Sequence, residues 1–178
     1  MSLFRSAARA VIPVLAIAFG ARNAEAMPKI GQAAPEFTLI NQKNVPVSLK
    51  DHRGSWVVLY FYPKDFTSGC TLQARNFQRD LEKYTARNAV VLGVSVDDVD
   101  THGQFCEKEN LSISLLADTD VTVSRAYGSV MRLPGKRLSA RNTFLIDPAG
   151  KIAKTYLKVD VAGHSKAVLE DLDRLQKK

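Results

Sequence analysis

Two nearly uninterrupted apolar segments, rich in β-branched and aromatic residues, constrain the fold of this chain most strongly. They span residues 56–62 and 89–96, and a segment with apolar residues at helical spacing lies between them. Strands that are apolar on both faces are typical of a sheet interior covered by helices. The order strand, helix, strand therefore predicts an α/β fold.

The remaining segments predict a central mixed β-sheet with helices on both of its faces. Residues 37–40 and 45–49 flank a polar turn and predict an N-terminal β-hairpin. Further strands are predicted at 113–116, 142–147 and 151–158, and helices at 99–109, 121–127 and 162–176. The helix after the turn at 67–69 is predicted to extend to about residue 87, with Leu72, Phe77, Leu81 and Tyr84 at helical spacing. The last helix has an apolar stripe of Val168, Leu169, Leu172 and Leu175.

Size and charge limit the classes of function. The chain has 178 residues, of which 46% are hydrophobic and 24% charged, a profile typical of one soluble domain. Its formal net charge of +7 is spread along the sequence without a basic run. We therefore expect neither nucleic-acid binding nor stable membrane association.

The first 26 residues have the pattern of a secretory signal. Arg5 and Arg9 precede an apolar or small stretch from 10 to 21, and residues 24–26 fit a small-x-small cleavage site. The stretch is too short to span a bilayer as a helix. We predict that residues 1–26 are cleaved, leaving residues 27–178 as a single domain exported to the bacterial periplasm.

Two alternatives remain for this segment. It contains arginine and is nearly free of acidic residues, as in organelle transit peptides, which would place the protein in an organelle lumen. Translation could also start at Met27, which would give a cytoplasmic protein.

The segment YPKDFTSGCTLQARNF, residues 62–77, places Cys70 just after a turn and at the start of a predicted helix. Unpaired backbone N–H groups and the helix dipole favour a thiolate at this position. The alternative is that Cys70 is a small buried hydrophobic residue, as isolated cysteines often are.

The spacing of the cysteines and histidines excludes several other chemistries. Residue 73 is Gln, so a Cys-x-x-Cys dithiol is absent. Cys70 and Cys106 lie 36 positions apart, and His52, His102 and His164 are scattered singly, so no ligand pair has the spacing of a zinc site. We expect neither a metal nor a cofactor. A Cys-His nucleophilic pair stays open, although such histidines are more often surface or hydrogen-bonded residues.

The segment from Pro63 to Cys70 resembles the Pro-x-x-x-Thr-x-x-Cys signature of peroxiredoxins. More closely, YFYPKDFTSGCT is similar to the bacterioferritin-comigratory or Q-type subfamily. The resemblance continues through GQAAPEFTL, LADTD, RNTFLID and GHSKAVLEDL, in the order of that family. It implies a thioredoxin-like fold and reduction of hydroperoxides without metal or flavin.

The resemblance also implies roles for individual residues. Cys70 is the expected peroxidatic nucleophile, which attacks the O–O bond and becomes a sulfenic acid. Thr67 is expected to hydrogen-bond the reacting oxygen or sulfur, and Pro63 to shape the pocket. Arg141 is expected to stabilise the negative charge. Alternatively, Thr67 only caps the helix, Pro63 only ends a strand and Arg141 is a surface charge.

The chain departs from many Q-type members at Arg75, where they have a resolving cysteine. Cys106 resembles the resolving cysteine that a subset of the subfamily has in a later helix; alternatively, it is a buried apolar thiol. If the two thiols join, we expect the start of the Cys70 helix and the Cys106 helix to unfold locally on oxidation.

Three classes of function follow from these features, with a thiol peroxidase first. A disulfide-exchange protein of thioredoxin type is disfavoured by the missing dithiol, and a non-catalytic or chaperone-like domain by the intact signature residues. The resemblance implies a monomer that uses thioredoxin or a glutaredoxin-like protein as reductant, with an external thiol as the alternative if Cys106 does not take part.

Overall fold

The computed structural model describes residues 27–177. The predicted export signal in residues 1–26 lies outside the described residues. The strands are β1 (Thr38–Asn41), β2 (Pro46–Ser48), β3 (Trp56–Phe61), β4 (Ala89–Ser95), β5 (Ser114–Ala117), β6 (Val130–Leu133), β7 (Lys136–Ser139), β8 (Asn142–Ile146) and β9 (Ile152–Leu157). The helices are α1 (Ser68–Arg79), α2 (Leu81–Thr85), α3 (Val99–Glu109), α4 (Thr122–Ala126) and α5 (His164–Gln176), with a 3₁₀ turn at Leu49–His52.

Seven strands form the predicted mixed sheet, in the order β2-β1-β5-β4-β3-β8-β9. β4 lies parallel to both β3 and β5, whereas the other neighbours are antiparallel. The β1–β2 pair confirms the N-terminal hairpin. The strand β3 pairs with both β4 and β8, so it lies in the interior of the sheet, as its apolar sequence predicts.

The sheet separates two hydrophobic cores. Side chains alternate along β3, so Val58 and Tyr60 face one core while Val57 and Leu59 face the other. The first core is covered by α1, α2, α3 and α5 and contains both cysteines. The second core is covered by α4 and the 3₁₀ turn. Helices therefore lie on both faces, as predicted.

The predicted helix from the turn at 67–69 to about residue 87 is interrupted at Asp80. This buried carboxylate accepts hydrogen bonds from Arg79, Lys83 and Ser165, which fix it between α1 and α2. Leu72, which was assigned to the apolar stripe, is 43% exposed. Phe77 of the predicted stripe is buried, and the other buried positions of α1 are Cys70, Gln73, Ala74 and Asn76.

The β6–β7 hairpin was not predicted. Its strands have four residues each, and half of their side chains are exposed, so the hairpin lacks the apolar alternation that indicates a strand. Among the helices of residues 27–177, none is long and apolar enough to cross a membrane.

Candidate active site

Cys70 lies in the first turn of α1, at the end of the loop that follows β3. The Tyr62 amide still donates to the Val94 carbonyl over 3.0 Å, so the chain leaves the sheet at Pro63. α1 begins at Ser68, which makes Cys70 its third residue. Backbone N–H groups in this turn have no intrahelical acceptor, and the positive end of the helix dipole favours negative charge on the sulfur.

The Arg141 guanidinium, between β7 and β8, contacts the Cys70 sulfur directly. Its Nη2 donates to Sγ over 3.2 Å, while Nη1 donates to Oε1 of Gln73 over 2.6 Å. Cys70 is only 1% exposed. A cation at this distance in a water-poor pocket stabilises a thiolate and the charge that develops during its oxidation.

The Thr67 hydroxyl does not hydrogen-bond the sulfur in this state. It donates to the Lys64 carbonyl over 3.0 Å. Thr67 is the N-cap residue of α1 and has an extended backbone, but its side chain makes no capping hydrogen bond. A hydroxyl that donates one bond keeps its acceptor lone pairs, which can receive a proton from a substrate. Pro63 is half-buried at the base of the same loop.

Cys106 is a second buried thiol, on α3 and in the same hydrophobic core as Cys70. Both cysteines are free, and Cys106 is 7% exposed. Burial, and to a smaller extent the nearby Asp65 carboxylate, raise the pKa of the Cys106 thiol to about 11. Cys106 is therefore protonated at neutral pH in this arrangement, which makes it a poor nucleophile.

Asp65, in the loop that leads to Cys70, is tied to α3 and to the loop before it. Its Oδ2 lies 2.7 Å from Nδ1 of His102, and both side chains are fully buried. The Tyr62 hydroxyl donates to its Oδ1 over 2.7 Å. The Asp65 amide donates to Oδ2 of Asp97, a carboxylate that also accepts from the Ser95 hydroxyl. A buried polar network therefore connects the Cys70 loop with the N-terminal half of α3.

The next residue, Phe66, contacts α3 one turn later. Its ring packs edge-on against Phe105, with 5.1 Å between ring centroids, and Lys108 Nζ lies 5.4 Å from its centroid. Phe66 has a φ of 61°, a left-handed conformation that is costly for an aromatic residue.

The structure thus brings together Cys70 and Arg141, as expected, and adds residues that the sequence reasoning missed. Gln73 was considered only as the missing second cysteine, although its position one turn after Cys70 could have indicated it. No local sequence pattern marks Asp65 and His102 as a pair, because the tertiary fold alone brings these two residues together. His164 is hydrogen-bonded to Thr143, whereas His102 Nε2 has no partner within the described chain. Within residues 27–177, no three His, Cys, Asp or Glu side chains form a metal-binding group.

Comparisons with known proteins agree with this arrangement. The sequence profile of the AhpC/TSA family matches residues 30–155. Peroxiredoxin Bcp of Bacillus subtilis is 39% identical over 155 residues, which cover 84% of this chain and 98% of that protein.

Solved structures extend the likeness to the fold. Two cysteine-to-serine variants of Xanthomonas campestris peroxiredoxin Q each superpose with a TM-score of 0.76 at 34% identity, covering 84% of this chain and 98% of theirs. The bacterioferritin comigratory protein of X. campestris, solved in a study of alkyl peroxide reduction, has a TM-score of 0.73 at 35% identity, covering 78% and 90%. The thioredoxin-like α/β fold implied by the sequence resemblance is confirmed.

Proposed function

The chain belongs to the AhpC/TSA family as a peroxiredoxin of the Bcp or Q type, and we propose that Cys70 is its peroxidatic nucleophile. As a peroxiredoxin, it is a thiol-dependent peroxidase. One contact carries the assignment of the nucleophile: Arg141 Nη2 donates to Cys70 Sγ over 3.2 Å at the N-terminus of α1. Burial keeps the other thiol, Cys106, protonated.

In the first step the Cys70 thiolate attacks one oxygen of the hydroperoxide. A sulfur–oxygen bond forms as the oxygen–oxygen bond breaks, and the sulfur loses the two electrons that the peroxide gains. The hydroperoxide proton goes to the leaving oxygen, which departs as an alcohol, or as water when the substrate is hydrogen peroxide. Arg141 stabilises the negative charge as it moves from the sulfur towards the leaving oxygen.

Thr67 and Pro63 have supporting roles in this proposal. The Thr67 hydroxyl, oriented by its bond to the Lys64 carbonyl, accepts a hydrogen bond from the hydroperoxide O–H group. Pro63 ends the strand without an N–H donor and shapes the wall of the pocket.

Cys106 is the proposed resolving cysteine. Its thiolate attacks the sulfenic sulfur of Cys70, the disulfide bond forms, and the sulfenic oxygen leaves as hydroxide and becomes water. Two observations support this pairing: both thiols lie in one core, and the two cysteines replaced in the X. campestris variants have the same separation in sequence. Because Cys106 is buried with a pKa of about 11, attack requires that α3 first opens locally.

The substrates and partners follow from the relatives. We propose that alkyl hydroperoxides are reduced as well as hydrogen peroxide, because the X. campestris bacterioferritin comigratory protein was studied for alkyl peroxide reduction. Thioredoxin or a glutaredoxin-like dithiol protein then reduces the disulfide, and the enzyme acts as a monomer. If Cys106 takes no part, the enzyme is a one-cysteine peroxidase that uses an external thiol.

The proposed location is the bacterial periplasm, after removal of residues 1–26; the alternatives are the cytoplasm, if translation starts at Met27, and an organelle lumen. N-terminal sequencing of the protein isolated from its native cell would test this. A mature N-terminus at or near residue 27, in the periplasmic fraction, would support export.

Mass spectrometry after one equivalent of hydrogen peroxide tests the assignment of the cysteines. Wild type is expected to form a Cys70–Cys106 disulfide, whereas Cys106→Ser should stop at a Cys70 sulfenic acid that dimedone traps. Cys70→Ser should consume no peroxide. A sulfenic acid in wild type without a disulfide would instead favour the one-cysteine mechanism, and an unreacted Cys70 would refute the nucleophile assignment.

A further inference from the structure

Two consecutive residues of the Cys70 loop contact α3 on the turn that precedes Cys106. Asp65 Oδ2 lies 2.7 Å from His102 Nδ1, and the Phe66 ring packs on Phe105. His102 is four residues before Cys106, so the two side chains lie on the same face of α3. Any local unfolding of α3 that brings Cys106 to Cys70 must therefore first break these contacts.

The Asp65–His102 pair favours the arrangement in which the two cysteines stay apart. Both side chains are fully buried, and the Tyr62 hydroxyl supplies a second hydrogen bond to the carboxylate. The Tyr62 hydroxyl donates to one carboxylate oxygen, and the tautomer of His102 with its proton on Nδ1 donates to the other. A hydrogen bond between such groups is stronger when water is excluded.

Two other features favour opening. His102 Nε2 is buried and has no hydrogen-bond partner within the described residues, which destabilises the closed arrangement of α3. Opening of α3 would expose this nitrogen to hydrogen bonding by water. Phe66 combines the ring contact with α3 with a left-handed backbone conformation, which is costly for an aromatic residue. The buried Asp65–His102 pair thus holds the Cys70 loop against α3, whereas the strained backbone of Phe66 and the unpaired nitrogen of His102 favour their separation.

The contact between α1 and the C-terminal end of α3 is of a different kind. Arg75 Nε donates to Glu109 over 2.6 Å, with the Arg75 side chain 62% exposed and that of Glu109 7% exposed. Solvent at the guanidinium screens this pair, whereas both members of the Asp65–His102 pair are shielded from water. Of the two connections, the Asp65–His102 pair is the one that lies on the turn before Cys106.

We propose that Asp65 and His102 are positioning residues that set how fast Cys106 reaches oxidised Cys70. This inference rests on the proposed role of Cys106 as resolving cysteine. While the pair is intact, Cys106 stays buried and the Cys70 sulfenic acid persists. A second hydroperoxide can then oxidise it to sulfinic acid, with transfer of one oxygen to sulfur and release of an alcohol or water. Rupture of the pair frees α3 and favours the disulfide.

The test compares the rate of disulfide formation with the yield of sulfinic acid. His102→Leu removes the donor to Asp65, whereas His102→Asn keeps an N–H donor near the position of Nδ1. Val123→Ala, in the core on the opposite face of the sheet, is the control for general loss of stability. Each reduced protein is mixed with excess hydrogen peroxide, quenched with acid at intervals, and analysed by mass spectrometry.

We expect His102→Leu to form the disulfide roughly tenfold faster than wild type and to accumulate correspondingly less sulfinic acid per turnover. His102→Asn should restore the wild-type ratio of disulfide to sulfinic acid, and Val123→Ala should leave this ratio unchanged. Tyr62→Phe, which keeps the ring but removes one donor to Asp65, should shift the ratio in the same direction by about two- to threefold. This conservative variant gives the test a second measurement if His102→Leu does not fold.

Three results would overturn the inference. The first is a disulfide rate in His102→Leu and Tyr62→Phe equal to that of wild type. The second is an equal change in Val123→Ala, which would make the effect one of general stability. The third is a wild-type protein that forms no Cys70–Cys106 disulfide, which would refute the resolving role itself and is distinguishable from the other two.

Discussion

Replacing Arg141 by methionine removes the guanidinium from the Cys70 sulfur and keeps an unbranched side chain of similar length. Nη2 donates to Sγ over 3.2 Å in a pocket where Cys70 is 1% exposed. Hydrogen bonds to charged groups contribute about 1.5–3 kcal/mol. If Arg141 acts on the transition state, kcat/KM for hydrogen peroxide should fall roughly 10- to 150-fold, since each 1.36 kcal/mol is a factor of ten.

Replacing Arg141 by lysine keeps the positive charge but loses the planar group with two separate donor nitrogens, so it distinguishes the effect of charge from that of geometry. Arg141 uses two different nitrogens to bond Cys70 and Gln73, whereas a lysine ammonium is a single point donor. Arg141→Lys is therefore expected to lie between wild type and Arg141→Met. Arg137→Met, on the exposed hairpin, loses the same formal charge and should react at the wild-type rate.

The assay is a single-turnover reaction of the reduced proteins with excess hydrogen peroxide, stopped with acid and followed by the mass of the Cys70 peptide. Thermal unfolding of each variant checks that the buried Gln73, which loses its partner, has not disrupted the fold. If Arg141→Met reacts within about threefold of wild type, transition-state stabilisation by this guanidinium is refuted.

Two further outcomes follow from the shifted pKa values. In Cys70→Ser, alkylation of Cys106 by iodoacetamide at pH 8 should be roughly 100-fold slower than for an ordinary thiol, because the Cys106 pKa is about 11; equal rates in native buffer and in urea would contradict this. Burial lowers the His164 pKa to about 4 from 6.5, so the unfolded chain binds a proton in this window that the folded chain does not. Stability should therefore fall between pH 6.5 and 4 by up to about 3 kcal/mol, and urea unfolding should show a smaller loss in His164→Asn.

The fold was predicted where the hydrophobic pattern is strong. β3 and β4 are apolar on both faces, and α3 has the predicted bounds of residues 99–109. The pattern failed where polar groups end an element, as at Asp80, and in the exposed β6–β7 hairpin. In these places hydrogen bonds and turns determine the backbone geometry, and they produce no periodic pattern of apolar residues in the sequence.

The candidate site was predicted in part. The local signature gave Pro63, Thr67 and Cys70, and the family resemblance gave Arg141. Their roles, and that of Cys106, stay predictions until the variants are measured. The bond from Thr67 to the Lys64 carbonyl was not expected, because the orientation of a hydroxyl depends on the neighbouring backbone.

The sequence by itself determined the family, the α/β class and the position of Cys70 at a helix N-terminus, because apolar periodicity and a contiguous signature are local properties of the chain. Only the tertiary structure decided that Gln73 orients Arg141 and that Asp65 and His102 pair beneath the Cys70 loop. These residues are separated by 68 and 37 positions and meet because β3, α1, α3 and β8 pack around one core. Their burial then strengthens each contact, since a hydrogen bond is electrostatically stronger where water is excluded and the dielectric constant is low.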